Sequence, residues 1–265
     1  MFSAKEYLLA QSLEQAYAAN QKKTAKIVGG MCWLKMSNRP LQTIIDLSAL
    51  DLNHIEESED GFWIGSMVSL RELETHPLLN QAFTNVFADA LKPIVGVQFR
   101  NCATVGGSVW GRFGFSDVST LLLALDAQVE LYPSGMISLE KFLQMPYDNQ
   151  ILVRILIPKQ RKFAVVKSHR NTATDFPILV VAASTNPEGK LCIVAGARPQ
   201  KACIVCSDLD IRSDLEVLTT QIEDCLKPIS FGSNMRGSKA YREHLAKVLS
   251  LRAISDLKEE LENGN

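Results

Sequence analysis

Few residues in this 265-residue chain stand at spacings that support chemistry. The four histidines, His54, His76, His169 and His244, are isolated from one another, and no His-Glu-x-x-His or other zinc spacing occurs. Cys203-x-x-Cys206 has the spacing of a metal or redox pair, but no second pair accompanies it. It also lies in a β-like run, whose alternation keeps the two side chains off a common face. A G-x-S-x-G nucleophile elbow and the dinucleotide fingerprint G-x-G-x-x-G are both missing. Two diglycines remain, Gly29-Gly30 and Gly106-Gly107, 77 positions apart, each after a short β-branched or apolar run. Glycine admits positive φ and close backbone approach. Each pair is therefore either a tight structural turn or a nest of successive N–H groups for a phosphate. The segment Gly106-Gly-Ser-Val-Trp-Gly111-Arg-Phe113 has the outline of a P-loop. Arg112 takes the place of its lysine and Phe113 that of its Ser/Thr, which argues against ATP. Together the two pairs could clamp one diphosphate from two sides without a cationic cluster.

The elements that must position these residues are short. Ser12-Leu-Glu-Gln15 reads as a capping box opening a helix to about residue 19. Strands are predicted at Ala25–Val28, Thr43–Leu47 and Phe62–Ile64, and helices at 69–75 and 80–91. Ser116 caps a strongly apolar helix over 118–125, with Asp117 in its first turn suiting the positive end of the helix dipole. From Gln128 the texture changes: strand-like runs at 128–132, 151–157, 162–168, 176–184 and 191–197 suggest one mostly antiparallel sheet. Helical patterns follow at 212–225 and 238–262. A boundary near 160, at Pro158-Lys-Gln-Arg-Lys162, would divide a mixed half from a sheet-plus-helices half.

Composition narrows the classes. The 28 Lys and Arg against 29 Asp and Glu leave a net charge of −1, without the basic excess of a duplex-binding protein. The 46% hydrophobic and 22% charged fractions are those of a folded globular chain. Lys5 and Glu6 interrupt the N-terminal stretch where a secretory segment needs apolar residues, and no apolar run approaches the roughly 20 residues of a membrane span. Six scattered cysteines read as free thiols, so a cytoplasmic location is expected.

Arg100-Asn-Cys-Ala-Thr-Val-Gly-Gly-Ser108, then Ser116-Asp117 and Leu122-Leu-Ala-Leu-Asp-Ala127, resembles the R-N-x-A-T-[IV]-G-G-N, S-D and L-x-A-L-x-A series of the molybdenum hydroxylase flavoproteins. Val28-Gly29-Gly30, Ile64-Gly65-Ser66, Lys167-x-x-Arg170 with Asp175-Phe176, and Arg236-Gly-Ser-x-x-Tyr-Arg242 extend the resemblance over nearly the whole chain. The chain looks like the FAD-binding (medium) subunit of a xanthine dehydrogenase or carbon monoxide dehydrogenase type enzyme.

The resemblance implies an α+β fold. A vanillyl-alcohol-oxidase-type (PCMH-type) FAD-binding domain of two α/β subdomains, residues 1–160, would be followed by a small α+β C-terminal domain, residues 161–265. It also implies FAD as cofactor, an iron–sulfur subunit and a molybdopterin subunit as partners, and electron transfer to NAD or another acceptor. By carry-over, Val28, Gly29, Gly30, Met31, Cys32 and Trp33 would wrap the diphosphate and ribityl chain. Ala103, Thr104, Gly106, Gly107 and Ser108 would form a second wall, Asp117 would bond a ribityl hydroxyl, and Lys167 would sit by the flavin pyrimidine edge. The sequence departs from the family at Met31-Cys32-Trp33, at Ser108, and at Gly111-Arg-Phe-Gly-Phe115 where Ala-Ser-Pro is common. These departures keep two alternatives open: a scaffold subunit with weak or no flavin binding, and a free-standing flavin reductase on the same fold.

Overall fold

The computed structural model describes residues 2–263. The chain opens with β1 (Ser3–Leu9), α1 (Leu13–Asn20), β2 (Ala25–Val28) and β3 (Pro40–Asp46). These strands form a parallel sheet in the order β1-β3-β2. The capping box forms in half: the Ser12 side chain accepts from Gln15 N–H, while the Gln15 amide oxygen accepts from Gln11 N–H. Strand β1, absent from the sequence reading, is an edge strand exposed on both faces for most of its length, so it shows no apolar alternation.

A second sheet holds β4 (Ile55–Glu57), β5 (Gly61–Gly65), β6 (Gln128–Tyr132), β7 (Gly135–Ser138) and β8 (Ile151–Pro158), in the antiparallel order β4-β5-β8-β6-β7. Between β5 and β6 run α2 (Leu70–Thr75), α3 (Pro77–Ala82), α4 (Val86–Leu91), α5 (Val97–Cys102), α6 (Val105–Trp110) and α7 (Asp117–Ala124). The single helix expected over 80–91 is broken, because Thr84 and Asn85 both take positive φ and start a new helix at Val86. Helix α7 follows expectation: Ser116 Oγ accepts from Ser119 N–H at 3.0 Å, and all eight helical residues are buried.

Helix α8 (Leu139–Gln144) separates β7 from β8. The third sheet comprises β9 (Phe163–His169), β10 (Leu179–Thr185), β11 (Lys190–Gly196) and β12 (Cys203–Asp210), antiparallel throughout. The five runs expected in one sheet thus divide between two: 128–132 and 151–157 pair with each other in the second sheet, where 151–157 also pairs with β5, and the three later runs join the third. Helices α9 (Leu215–Leu226) and α10 (Lys239–Asn263) cover one face of the third sheet, burying Leu218, Ile222, Ala253, Ile254 and Leu257. Its other face meets α7, and Ala164, Ala182, Cys192 and Val194 join the large core around α2–α7. Gly196 is required at this junction, since a Cβ there would overlap the Thr120 hydroxyl.

Arg242, in the last sequence motif, is fully buried without a carboxylate. It donates to the Ile178, Gly232 and Gly237 carbonyls and to Asn234 Oδ1, tying the turn before α10 to the segment entering β10. Among the described residues no helix is long and apolar enough to cross a membrane.

Candidate functional site

The loop after β2 and the segment from α5 to α7 face each other across a cavity of about 400 Å³, within the range of small-molecule sites. Residues 102–106 are positioned first. Arg100 is buried and grips Glu74 with both Nε (2.7 Å) and Nη2 (3.2 Å), while its Nη1 donates to Ile94 O. Leu70 N–H donates to Ala103 O, Val105 N–H to Val68 O, and Gly106 N–H to Ser66 O. Thr104 then caps α6, its hydroxyl accepting from Gly107 N–H at 3.0 Å. The second diglycine is therefore the first turn of a short helix, with its amides already engaged, and neither glycine has positive φ.

What these glycines provide is close approach. A Cβ on Gly106 would lie 2.5 Å from Ser66 O, and one on Gly30 would overlap the Cys102 carbonyl. A Cβ on Gly29 would lie 2.5 Å from Thr104 Oγ1. Gly107 differs: its Cβ would meet only Thr104 Oγ1, at 3.0 Å, and Gly107 lines the cavity whereas Gly106 does not.

The first loop leaves a row of amides unengaged. Met31 takes φ of 55°, and the next residues turn into a short 3₁₀ segment at Leu34–Met36. Among the described residues, none accepts a hydrogen bond from the backbone N–H of Gly30, Met31, Cys32 or Trp33. Four consecutive donors thus border the cavity without a protein partner, which suits a phosphate group. Burial, with Cys102 nearby, pushes the Cys32 thiol pKa up and keeps it neutral.

The far end is aromatic. Trp33, Phe113, Phe115 and Phe176 all line the cavity and pack on one another, with Phe115–Phe176 centroids 4.4 Å apart and Trp33 stacked 5.9 Å from Phe176. Below the rings Asp117 and Arg170 form a buried ion pair at 2.5 Å. Arg170 Nη1 also donates to Asp175 O, and its Nε is buried with no partner. Burial pushes the Asp117 pKa up to about 6, with the Arg170 charge opposing it.

Of the residues expected from the sequence, Val28, Gly29, Gly30, Met31, Cys32, Trp33, Ala103, Thr104, Gly107, Ser108 and Asp117 line this cavity. Gly106 stands behind the wall. Lys167 stands away from it, on β9, paired with Asp256 of α10. The cavity is lined instead by Lys26 of β2 and by Arg170, three residues on from Lys167 in the same motif and just past the end of β9. Strand alternation fixes the face of Lys167 within β9 but says nothing of where Arg170, the first residue past the strand, turns.

A row of unpartnered amides, an aromatic cluster and a buried ion pair line one cavity, and these residues fit FAD. Residues 2–160 match the family described as FAD binding domain in molybdopterin dehydrogenase. The chain belongs to that family and is an FAD-binding oxidoreductase component. It is 26% identical over 283 residues to the xanthine dehydrogenase FAD-binding subunit of Escherichia coli O157:H7, covering 97% of both chains. It is 23% identical over 277 residues to the glyceraldehyde dehydrogenase medium chain of Sulfolobus acidocaldarius, covering 95% of this chain and 97% of that one. A carbon monoxide dehydrogenase chain from Hydrogenophaga pseudoflava superposes with a TM-score of 0.84 at 21% identity, over 94% of this chain and 96% of that one, a likeness of fold.

Proposed function

We propose that this chain is the flavin-carrying electron-transfer subunit of a molybdenum hydroxylase complex. An iron–sulfur subunit would deliver electrons drawn from substrate at a molybdopterin subunit, and NAD or another acceptor would receive them. The observation that carries the reading is the row of four unpartnered amides at Gly30–Trp33 facing an aromatic-lined cavity. FAD, when bound, supplies a centre able to exchange electrons singly or in pairs.

The protein's own groups divide the work. Val28 and Gly29 place the loop, and the amides of Gly30, Met31, Cys32 and Trp33 hold the diphosphate. Ala103, Thr104, Gly107 and Ser108 form the opposite wall. Asp117 orients a ribityl hydroxyl, and Arg170, not Lys167, supplies positive charge beside the ring system. The aromatic cluster keeps water from the ring end. The 1–160 segment acts as the FAD-binding domain and 161–265 as a C-terminal domain that contributes Arg170 and Phe176, in a complex placed in the cytoplasm.

Purification of the natively expressed protein tests this reading. Co-elution with iron–sulfur and molybdenum-bearing chains, and bleaching of the flavin absorbance by reducing substrate of the complex, are expected. A chain that runs alone and turns over NADH with a small molecule unaided would contradict it.

A further inference from the structure

A second cavity, about 420 Å³, opens between α8 and the connection from β11 to β12. Its polar lining is Glu140, Gln144, Arg198, Gln200 and Lys201. The cations here bind only neutral oxygens: Arg198 donates to Lys201 O, Gln200 Oε1 and Ser230 O, and Lys201 Nζ donates to Leu143 O at 2.6 Å. Behind them Arg112 is buried, with Nη1 on Met145 O and Pro146 O, its guanidinium 4.0 Å from the Phe142 ring centroid, and Nε and Nη2 without partners.

Among the described residues no carboxylate lies within ion-pair distance of Arg112, Arg198 or Lys201, Glu140 included. Elsewhere in the chain Arg100 is matched by Glu74 and Arg170 by Asp117, while Arg242, closed off from solvent and lining neither cavity, is held by four neutral oxygens. Arg198 and Lys201 line the cavity partly desolvated with no carboxylate within ion-pair distance, and the cost of holding them there falls when an anion enters. Burial and the Arg112 charge both push the Lys201 pKa down, the response expected of a cation crowded by like charge. The carbonyls ending α8 explain where the cations point but supply no full negative charge.

We infer that this cavity binds a small anionic molecule through a phosphate or carboxylate group held by Lys201 and Arg198, with the Gln144 and Gln200 amides contacting its neutral polar groups. The site adjoins the cofactor cavity without sharing residues with it. A Cβ on Gly114 would lie 2.9 Å from Gln200 O, so the loop carrying Phe113 and Phe115 packs against the backbone of a residue that lines the second cavity. The assignment does not rest on the flavin reading.

Calorimetric titration of the purified holoprotein in a low-salt chloride-free buffer, with inorganic phosphate in one arm and citrate in the other, tests the inference. Saturable binding of at least one is expected. It should weaken about tenfold or more in Lys201→Gln and in Gln144→Leu, be kept in Lys201→Arg, and leave the flavin content unchanged. Binding of phosphate alone would mark a phosphorylated ligand, and of citrate alone a carboxylated one. No saturable binding in either arm, or binding equally strong in Lys201→Gln and Gln144→Leu when both melt as the parent does, would overturn it.

Discussion

Gly106 and Gly107 look equivalent in sequence and are not. Gly106 packs its Cα against the Ser66 backbone, so Gly106→Val should destabilise the chain by about 1–3 kcal/mol through overpacking, visible in thermal melts with or without flavin. Gly107 faces the cavity, so Gly107→Val should leave the melt nearly unchanged and weaken flavin binding instead. Asp117 carries a pH signature. Its pKa in the folded chain, about 6, exceeds the ordinary 3.8, so the folded state holds the proton longer than the unfolded one. Its stabilising contribution is then complete below pH 4 and declines as pH rises through 6, by up to about 3 kcal/mol in the flavin-free protein. Denaturant unfolding of parent and Asp117→Asn across this range should show that slope in the parent and lose it in the variant. The Arg100 and Arg242 motifs were legible as motifs, yet their work is structural: one anchors α5 to Glu74, the other ties down a turn.

Elements with strong apolar runs and caps could be read directly, as α7 and its Ser116 cap were, whereas short or two-faced ones could not. Helices α5 and α6 are six residues each and rich in glycine or polar side chains, and what holds them is tertiary and encoded by no local pattern: Arg100 on Glu74 for α5, and Val105 and Gly106 N–H on the Val68 and Ser66 carbonyls for α6. Gly29-Gly30 after a strand was legible as a turn or a nest, and Trp33, Phe113 and Phe115 stand in the departing loops, but Phe176 could not be joined to them, lying 143 positions from Trp33. That cluster yields a prediction. Inserting a planar ring between two others needs about 7 Å, twice a carbon contact distance, and Trp33 is only 5.9 Å from Phe176. Trp33 should therefore shift when FAD loads. In a Trp63→Phe, Trp110→Phe background, FAD should quench and spectrally shift the Trp33 emission. Emission unaltered at full occupancy would leave Trp33 outside the ring site.

The molecule as a whole depends on α7 lying between the second and third sheets. Its apolar residues belong to the large core, and its Thr120 meets Gly196 of β11, so the core runs across the expected boundary near 160. Gly196→Ala should push β11 from α7 and lower stability by about 1–3 kcal/mol in urea unfolding, while Gly135→Ala, which meets no neighbour but sits at φ of 80°, should cost only local turn strain. The change of texture at Gln128 was real but marked no change of sheet, because antiparallel strands look alike whichever sheet they join.

FAD is proposed to occupy the cavity between the first loop and α6–α7. Titrating the flavin-free protein and Gly107→Val with FAD, reading bound flavin from its visible absorbance, tests it most directly. One FAD per chain is expected in the parent and binding at least about tenfold weaker in Gly107→Val, with both melting alike before FAD is added. Equal stoichiometry and equal affinity in the two proteins would contradict it.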